Sequence, residues 1–221
     1  MRSDLTARLL RLGTGERELL QDLYQARFVT GAGAQALAEV AGGSLEELTR
    51  GGFLREAETA AGEICYLGQT GIRAALALLG DDRGSGLRAY AALRLGHELR
   101  RAELYLALRR LGMPASAYRA EPRLDYRSAA GLGARTLVPD ALVERPAADA
   151  VVEVDRGTEG PAQLRHKWLR YREWLEDLPR RGLYVLADDP ARVAETLAAA
   201  GLRADVAGEP DGLAREIWCP A

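Results

Sequence analysis

The sequence predicts an α+β protein built in two parts, and three observations support this. Short amphipathic helices and a β-hairpin occupy the first 80 residues, strands and helices follow one another in the second half, and a glycine-rich polar run separates the two. A hydrophobic fraction of 48% in 221 residues supplies core for two small domains. We therefore expect one domain over residues 1–82 and a second over residues 83–221.

The first part has the pattern of three short helices, a hairpin and a fourth helix. In chain order these elements cover residues 15–26, 34–41, 44–50, 53–55 with 64–67, and 69–79. Ser44 is expected to cap the third helix, since a serine side chain accepts a hydrogen bond from the first helical turn. Three helices joined by tight turns and followed by a hairpin are typical of a winged helix-turn-helix.

The second part has the pattern of one long helix followed by a sheet with helices. The helices are predicted over residues 87–111, 160–178 and 190–200, and the strands over residues 116–121, 136–143, 150–154, 182–187 and 216–219. Because the central strands follow one another without helices, a doubly wound parallel sheet is disfavoured. The sequence therefore predicts a central mixed sheet.

Charge, cysteine content and hydropathy restrict the class of protein. The formal net charge of −2 gives no overall attraction to phosphate, so any contact with DNA must be local. The apolar runs are too short to cross a bilayer, and the chain opens without a secretory pattern. Cys65 and Cys219 match no metal-ligand spacing and are expected to be reduced thiols. These features predict a cytoplasmic protein without membrane partners.

The third helix and the hairpin contain the residues expected to contact double-stranded DNA. In a winged helix-turn-helix the third helix enters the major groove, which assigns base and backbone contacts to Ser44, Thr49 and Arg50. Arg55 on the wing is expected to contact phosphate. Residues 1–80 contain eight arginines and ten acidic residues, so a role in protein contacts stays open for this region.

A cluster of acidic residues in the second half suggests a divalent metal site. Asp140 follows Pro139, and Glu153 and Asp155 alternate with valines, which places these two on one face of a strand. Carboxylates that converge at strand ends suit Mg²⁺ or Mn²⁺ and could hold a phosphodiester. The alternative is that these acids are ordinary solvated turn residues.

The order Pro-Asp, spacer, Glu-x-acid resembles the restriction-endonuclease-like superfamily. That resemblance implies a catalytic Asp140 and Glu153, with a lysine two residues after the glutamate. Here Asp155 occupies the lysine position, and Lys167, the only lysine of the chain, lies in the next predicted helix. Lys167 is therefore the candidate catalytic cation. His97 and Glu121 are secondary candidates, as a phosphate contact or ligand and as a further acid.

Several strings in order resemble the replication-relaxation family of bacterial plasmid and mobile-element proteins. They are YLGQTGIRAALAL, HELRRAELYLALRR, PDA, VEVDRGTE and KWLRY, and the resemblance covers residues 15–186. It implies a winged helix-turn-helix joined to a nuclease-like fold, and a role in plasmid replication, relaxation or mobilisation. It leaves enzymatic activity open.

Two main hypotheses of function follow. In the first, the chain binds DNA and its C-terminal fold acts as a Mg²⁺-dependent endonuclease that cuts or nicks the backbone. In the second, it is a winged-helix transcriptional or copy-number regulator whose nuclease-like domain is catalytically inactive. Expected partners are double-stranded DNA, together with a second copy of the chain or with relaxosome and replication proteins.

Overall fold

The chain forms two compact units, Met1–Ser116 and Ala117–Ala221. The structure is a computed structural model that describes residues 2–80, 94–127, 134–177 and 181–219. The boundary expected between residues 82 and 83 lies outside the described residues. The units divide between Ser116 and Ala117, and the long helix Leu95–Arg110 packs against the helices Thr14–Ala26 and Gly31–Ala41.

The N-terminal unit contains six helices and three strands in its described residues. They are α1 (Arg2–Leu10), α2 (Thr14–Ala26), β1 (Phe28–Thr30), α3 (Gly31–Ala41), α4 (Leu45–Arg50), β2 (Leu54–Thr59), β3 (Gly62–Leu67), α5 (Gln69–Leu79) and α6 (Leu95–Arg110). The strands form an antiparallel sheet in the order β1-β3-β2. The predicted helices and hairpin are confirmed, whereas α1 and β1 were not predicted. Of the long helix predicted over residues 87–111, residues 87–93 lie outside the described residues.

Local side-chain chemistry sets the ends of α3 and α4. The Thr30 hydroxyl accepts the Gly33 N–H at 3.1 Å, and the Ser44 hydroxyl accepts the Glu47 N–H at 3.3 Å. Each bond satisfies a donor that the first helical turn leaves unpaired. Gly42 ends α3 in the left-handed conformation at φ 66°, which glycine adopts at least cost.

Buried ion pairs join α6 to α2. Asp22 of α2 is fully buried, accepts the Tyr105 hydroxyl at 2.6 Å and pairs with Arg109 at 2.7 Å. Arg101, also fully buried, pairs with Glu98 at 2.6 Å and donates to the Gln25 carbonyl at 2.9 Å. Burial is the largest cause that raises the pKa of Asp22, and its hydrogen bonds and Arg109 oppose that shift. Removal of Arg109 would leave the buried Asp22 carboxylate without its counter-charge, whereas Glu98 would keep a second partner in Arg27 at 3.8 Å.

The C-terminal unit contains a five-stranded mixed sheet and a separate hairpin. Its elements are β4 (Tyr118–Ala120), β5 (Leu124–Arg127), β6 (Ala134–Leu137), β7 (Ala141–Val143), β8 (Asp149–Asp155), α7 (Pro161–Asp177), β9 (Arg181–Ala187), α8 (Pro190–Ala199), β10 (Asp205–Ala207) and α9 (Pro210–Trp218). The sheet order is β10-β9-β8-β7-β4. Strands β8, β9 and β10 are parallel to one another, β7 is antiparallel to β8, and β4 is antiparallel to β7. The prediction of an α+β fold with a mixed sheet is confirmed.

Helices cover both faces of this sheet. On one face, a core of Trp168, Trp174 and neighbouring residues of α7 packs with α8 and with Val151 of β8. Tyr184 points to the opposite face, because it alternates with the core residues Leu183 and Val185 along β9. Arg145 donates to both the Tyr184 hydroxyl and the Ile217 carbonyl, which places α9 on that second face.

Three strand predictions require correction. The single strand expected over residues 136–143 is wrong: it is two strands, β6 and β7, and Pro139, which has no N–H to donate, lies in the break. The strand expected over residues 216–219 is also wrong, because α9 reaches Trp218 and begins with Pro210 at a position where proline is favourable. The strand expected over residues 116–121 is shorter, since a 3₁₀ turn ends at Ala117 before β4.

The described residues also answer whether a helix could span a membrane and whether the two cysteines are bonded. Within them, no helix combines the length and apolar character that a bilayer span requires. Both cysteines are free, Cys65 buried on β3 and Cys219 exposed after α9. Burial is the main cause that raises the pKa of the Cys65 thiol to about 11.

The buried ion pairs of the N-terminal unit generate a prediction of stability. We expect Arg109→Met to lower the free energy of unfolding by about 3–5 kcal/mol, because it leaves Asp22 buried without its counter-charge. Urea unfolding followed by circular dichroism measures this loss. The matched control is Arg110→Met, which changes an exposed neighbour on the same helix and is expected to cost less than about 0.5 kcal/mol. Equal losses in the two variants would contradict the prediction.

Candidate functional site

Strand register brings Asp140 and Glu153 together. β7 and β8 are antiparallel with Ala141 opposite Val152, so one further step along the ladder places Asp140 opposite Glu153. Residues directly opposite each other in such a ladder have side chains on the same face. The backbone N–H of Val154 donates to Asp140 Oδ2 at 2.7 Å, which fixes this carboxylate beside β8. Two predicted site residues thus share one edge of the sheet.

Helix α7 supplies a partner for each oxygen of Glu153. Lys167 Nζ lies 2.6 Å from Glu153 Oε2, and the Tyr171 hydroxyl donates to Glu153 Oε1. Lys167 and Tyr171 are four residues apart, so they lie one above the other on the same face of the helix. Glu153 is 2% exposed, so these partners, and not bulk water, satisfy its carboxyl oxygens. The structure brings Lys167 to the acids, as the sequence predicted.

The electrostatics of this pair show an excess of negative charge. Burial is the largest cause that raises the pKa of Glu153, and the nearby charge of Asp140 raises it further, while Lys167 and Tyr171 act in the opposite direction. Burial acts to lower the pKa of Lys167, but the charges of Glu153 and Asp140 raise it overall. Lys167 is therefore held as an ammonium, and the site favours an additional positive charge.

Glu159 is an acidic residue of this site that the sequence analysis missed. Its Oε2 lies 3.6 Å from Lys167 Nζ, and its carbonyl accepts a hydrogen bond from Arg192 at 2.7 Å. The residue lies in the turn between β8 and α7, directly before Gly160. The sequence signal that could have identified Glu159 was its position between the strand that contains Glu153 and the helix that contains Lys167.

Asp155 has a different partner from the one expected. It lies on the same face of β8 as Glu153, as predicted, but its carboxylate pairs with Arg192 of α8. Its side chain is 3% exposed and that of Arg192 is 23% exposed, so the pair is partly buried. Arg192 thereby ties α8 to the end of β8 and to the loop that contains Glu159. The structure therefore gives Asp155 a partner that links elements, and sequence reasoning had not singled out Arg192.

The residues predicted to read DNA lie together on α4 and β2 of the N-terminal unit. Ser44 is the N-cap of α4, as predicted, and Thr49 and Arg55 are exposed. Arg50 is exposed and pairs with Glu46 and Glu47 of its own helix. The cation is thus partly neutralised by its neighbours, and a phosphate would have to compete with them.

The two secondary candidates lie in different units. His97 is half-buried on α6 in the N-terminal unit, whereas the acidic cluster belongs to the C-terminal unit. The Glu121 backbone N–H donates to the Asp140 carbonyl at 3.0 Å, and the residue has a left-handed backbone at φ 43°. Glu121 therefore lies at the edge of the site, and its backbone is paired directly with that of Asp140.

The described carboxylates form a smaller donor set than a complete cluster of metal ligands. In the described parts of the chain, no three His, Cys, Asp or Glu side chains are grouped so that they could hold a metal ion. The set that remains is the carboxylate pair of Asp140 and Glu153, whose mutual repulsion favours a bound cation. Mg²⁺ keeps several of its waters and typically binds through one or two carboxylates.

Comparison with known proteins gives one family and no individual relative. The chain matches the replication-relaxation family over residues 20–185, which includes Asp140, Glu153, Lys167 and Tyr171. No curated protein and no solved structure matches it. Since the matched segment is most of the 221 residues, the chain belongs to the replication-relaxation family.

Proposed function

We propose that this protein binds double-stranded DNA during replication, relaxation or mobilisation of plasmids or mobile elements, and that its C-terminal unit cuts or nicks the DNA backbone. One observation carries the catalytic part: Lys167 reaches Glu153 at 2.6 Å from the next helix, beside Asp140, although the lysine position of the strand itself holds Asp155. The proposal identifies the C-terminal unit with the restriction-endonuclease-like fold. Its partners are DNA, a second copy of the chain or proteins of the relaxosome.

The proposed chemistry assigns a role to each member of the site. Asp140 and Glu153 would hold a Mg²⁺ or Mn²⁺ ion, which supplies a Lewis acid and a bound water of lowered pKa when present. Lys167, an ammonium because the surrounding carboxylates raise its pKa, offsets charge that develops on the phosphate oxygens. Its Nζ also orients the attacking water by hydrogen bonding. Asp155 is left out of the metal ligands because Arg192 already pairs with it.

The N-terminal unit is proposed to locate the DNA as a winged helix-turn-helix. The order of helices, hairpin and final helix supports this assignment, with α4 as the helix that enters the major groove. Thr49 and Arg50 would contact bases or backbone, and Arg55 on the hairpin would contact phosphate. Phosphate must displace Glu46 and Glu47 from Arg50, so Arg55 is expected to give the more direct contribution.

A second candidate function rests on the same ion pairs. Lys167 contacts both Glu153 and Glu159, which neutralises the cation that a nuclease would direct at phosphate. This favours a regulator that binds DNA through its N-terminal unit and keeps a catalytically inactive nuclease-like unit. The two candidates differ in one property, namely whether the purified protein breaks phosphodiester bonds in the presence of a divalent metal.

The catalytic proposal predicts metal-dependent nicking of supercoiled plasmid. With Mn²⁺, we expect conversion to open circles, and we expect Asp140→Ala and Lys167→Met each to lower the rate at least about 100-fold. Chelation of the metal should stop the reaction. Agarose gel electrophoresis against time measures the rate.

Asp188→Asn is the matched control for this assay. Asp188 is an exposed acid of the same unit that pairs with Arg156 at 2.7 Å, and its substitution should leave the rate unchanged. Nicking that persists in Asp140→Ala would contradict the proposed site. Wild-type protein that binds DNA but never nicks it would favour the regulator.

The DNA-binding proposal predicts a change in salt dependence. We expect Arg55→Ala to weaken binding and to lower the slope of log affinity against log salt concentration by about 0.9, since one phosphate contact is lost. Fluorescence anisotropy with a labelled duplex at several salt concentrations measures this slope. Arg11→Ala, which removes an exposed arginine beyond α1, is the control and should leave the slope unchanged. A slope that Arg55→Ala does not alter would exclude the contact.

A further inference from the structure

The apolar core that surrounds Tyr171 does not require a hydroxyl group on this ring. Tyr171 is fully buried and packs with Trp168, at 6.0 Å between ring centroids, and with Trp174 in the apolar core between α7 and the sheet. A phenylalanine would fill the same volume. A buried hydroxyl is costly unless it is hydrogen-bonded, and this one donates to Glu153 Oε1.

The two partners of Glu153 differ in how freely they can move away. The Lys167 side chain is 26% exposed and reaches the site at the end of a flexible stem, so its ammonium can leave Glu153 for solvent or for phosphate. The Tyr171 ring is fully buried between two tryptophans and the sheet, so its hydroxyl has a fixed position. Of these two described partners, Tyr171 is the one that can hold Glu153 in one orientation when Lys167 leaves.

We propose that Tyr171 is a positioning residue: its hydroxyl holds Oε1 of Glu153 and thereby presents Oε2, the oxygen now paired with Lys167, to a divalent cation. This inference rests on the proposed function, because it assumes that Glu153 is a metal ligand. Removal of a group that orients a ligand in this way typically weakens metal binding about 10–100-fold. We expect a loss of about that size here. Tyr171 does not contact the metal itself.

The test is Mn²⁺ binding to the full chain, measured by calorimetry and by the relaxation of water protons near bound Mn²⁺. Tyr171→Phe keeps the ring and removes only the donor, and we expect it to weaken Mn²⁺ binding about 10–100-fold. The water-proton relaxation of bound Mn²⁺ should also change, because an unanchored Glu153 is replaced by water in part of the population. A purely structural role of the hydroxyl would alter neither readout at a temperature where circular dichroism shows the native helix content.

Tyr126→Phe is the matched control. Tyr126 belongs to the same core, is 4% exposed, and its hydroxyl has no hydrogen-bond partner among the described residues. Its substitution should leave Mn²⁺ affinity unchanged. Replacement of Tyr171 by 4-aminophenylalanine, which keeps a donor at the same reach, should restore the affinity that phenylalanine loses, and this variant also serves if Tyr171→Phe is poorly folded.

The outcomes separate the inference from the function on which it rests. Wild-type affinity in Tyr171→Phe, with Mn²⁺ still bound by the unmodified chain, would overturn the role of Tyr171 and leave the metal site standing. Equal losses in Tyr171→Phe and in the 4-aminophenylalanine protein would overturn it as well, because the donor would then be irrelevant. Absence of Mn²⁺ binding to the wild-type protein would overturn the proposed metal site and this inference together.

Discussion

The burial of Glu153 beside Asp140 is the constraint on which the C-terminal unit depends. Two carboxylates that meet at the edge of a sheet repel each other, and burial removes the water that would screen them. The fold compensates with Lys167 and Tyr171, which approach the two Glu153 oxygens from one face of α7. The position of α7 is therefore set by charge as well as by the apolar core that its tryptophans form.

A second, partly buried pair extends this arrangement along the same face. Asp155 follows Glu153 by two residues on β8 and pairs with Arg192, which also binds the Glu159 carbonyl. These two acids of the strand thus fix different helices, Glu153 fixing α7 and Asp155 fixing α8. Such pairs add orientation more than stability, because the desolvation of both charges offsets much of their attraction. This suits a site whose function requires side chains at fixed positions.

Sequence reasoning located the acids and the lysine, and it failed where partners come from distant segments. The alternation in Glu153-Val154-Asp155 and the preceding Pro139-Asp140 were sufficient to predict a shared sheet edge, because register and face follow from local pattern. The commitment of Asp155 to an arginine 37 residues later was not predictable, since no local pattern encodes that contact. The packing of α6 was not predictable for a related reason: α6 follows the glycine-rich run, yet its Arg109 pairs with the buried Asp22 of α2.

Reactivity of the only lysine tests the central interaction most directly. Native protein is treated with an acetylating reagent at neutral pH, and modification of Lys167 is followed by peptide mass spectrometry in wild type and in Glu153→Gln. The account predicts slow acetylation in wild type, because Lys167 is paired with Glu153 and its pKa is raised, and clearly faster acetylation in the variant. Equal rates in the two proteins, matching that of the chain unfolded in urea, would show that Lys167 is not held by Glu153 and would contradict the account.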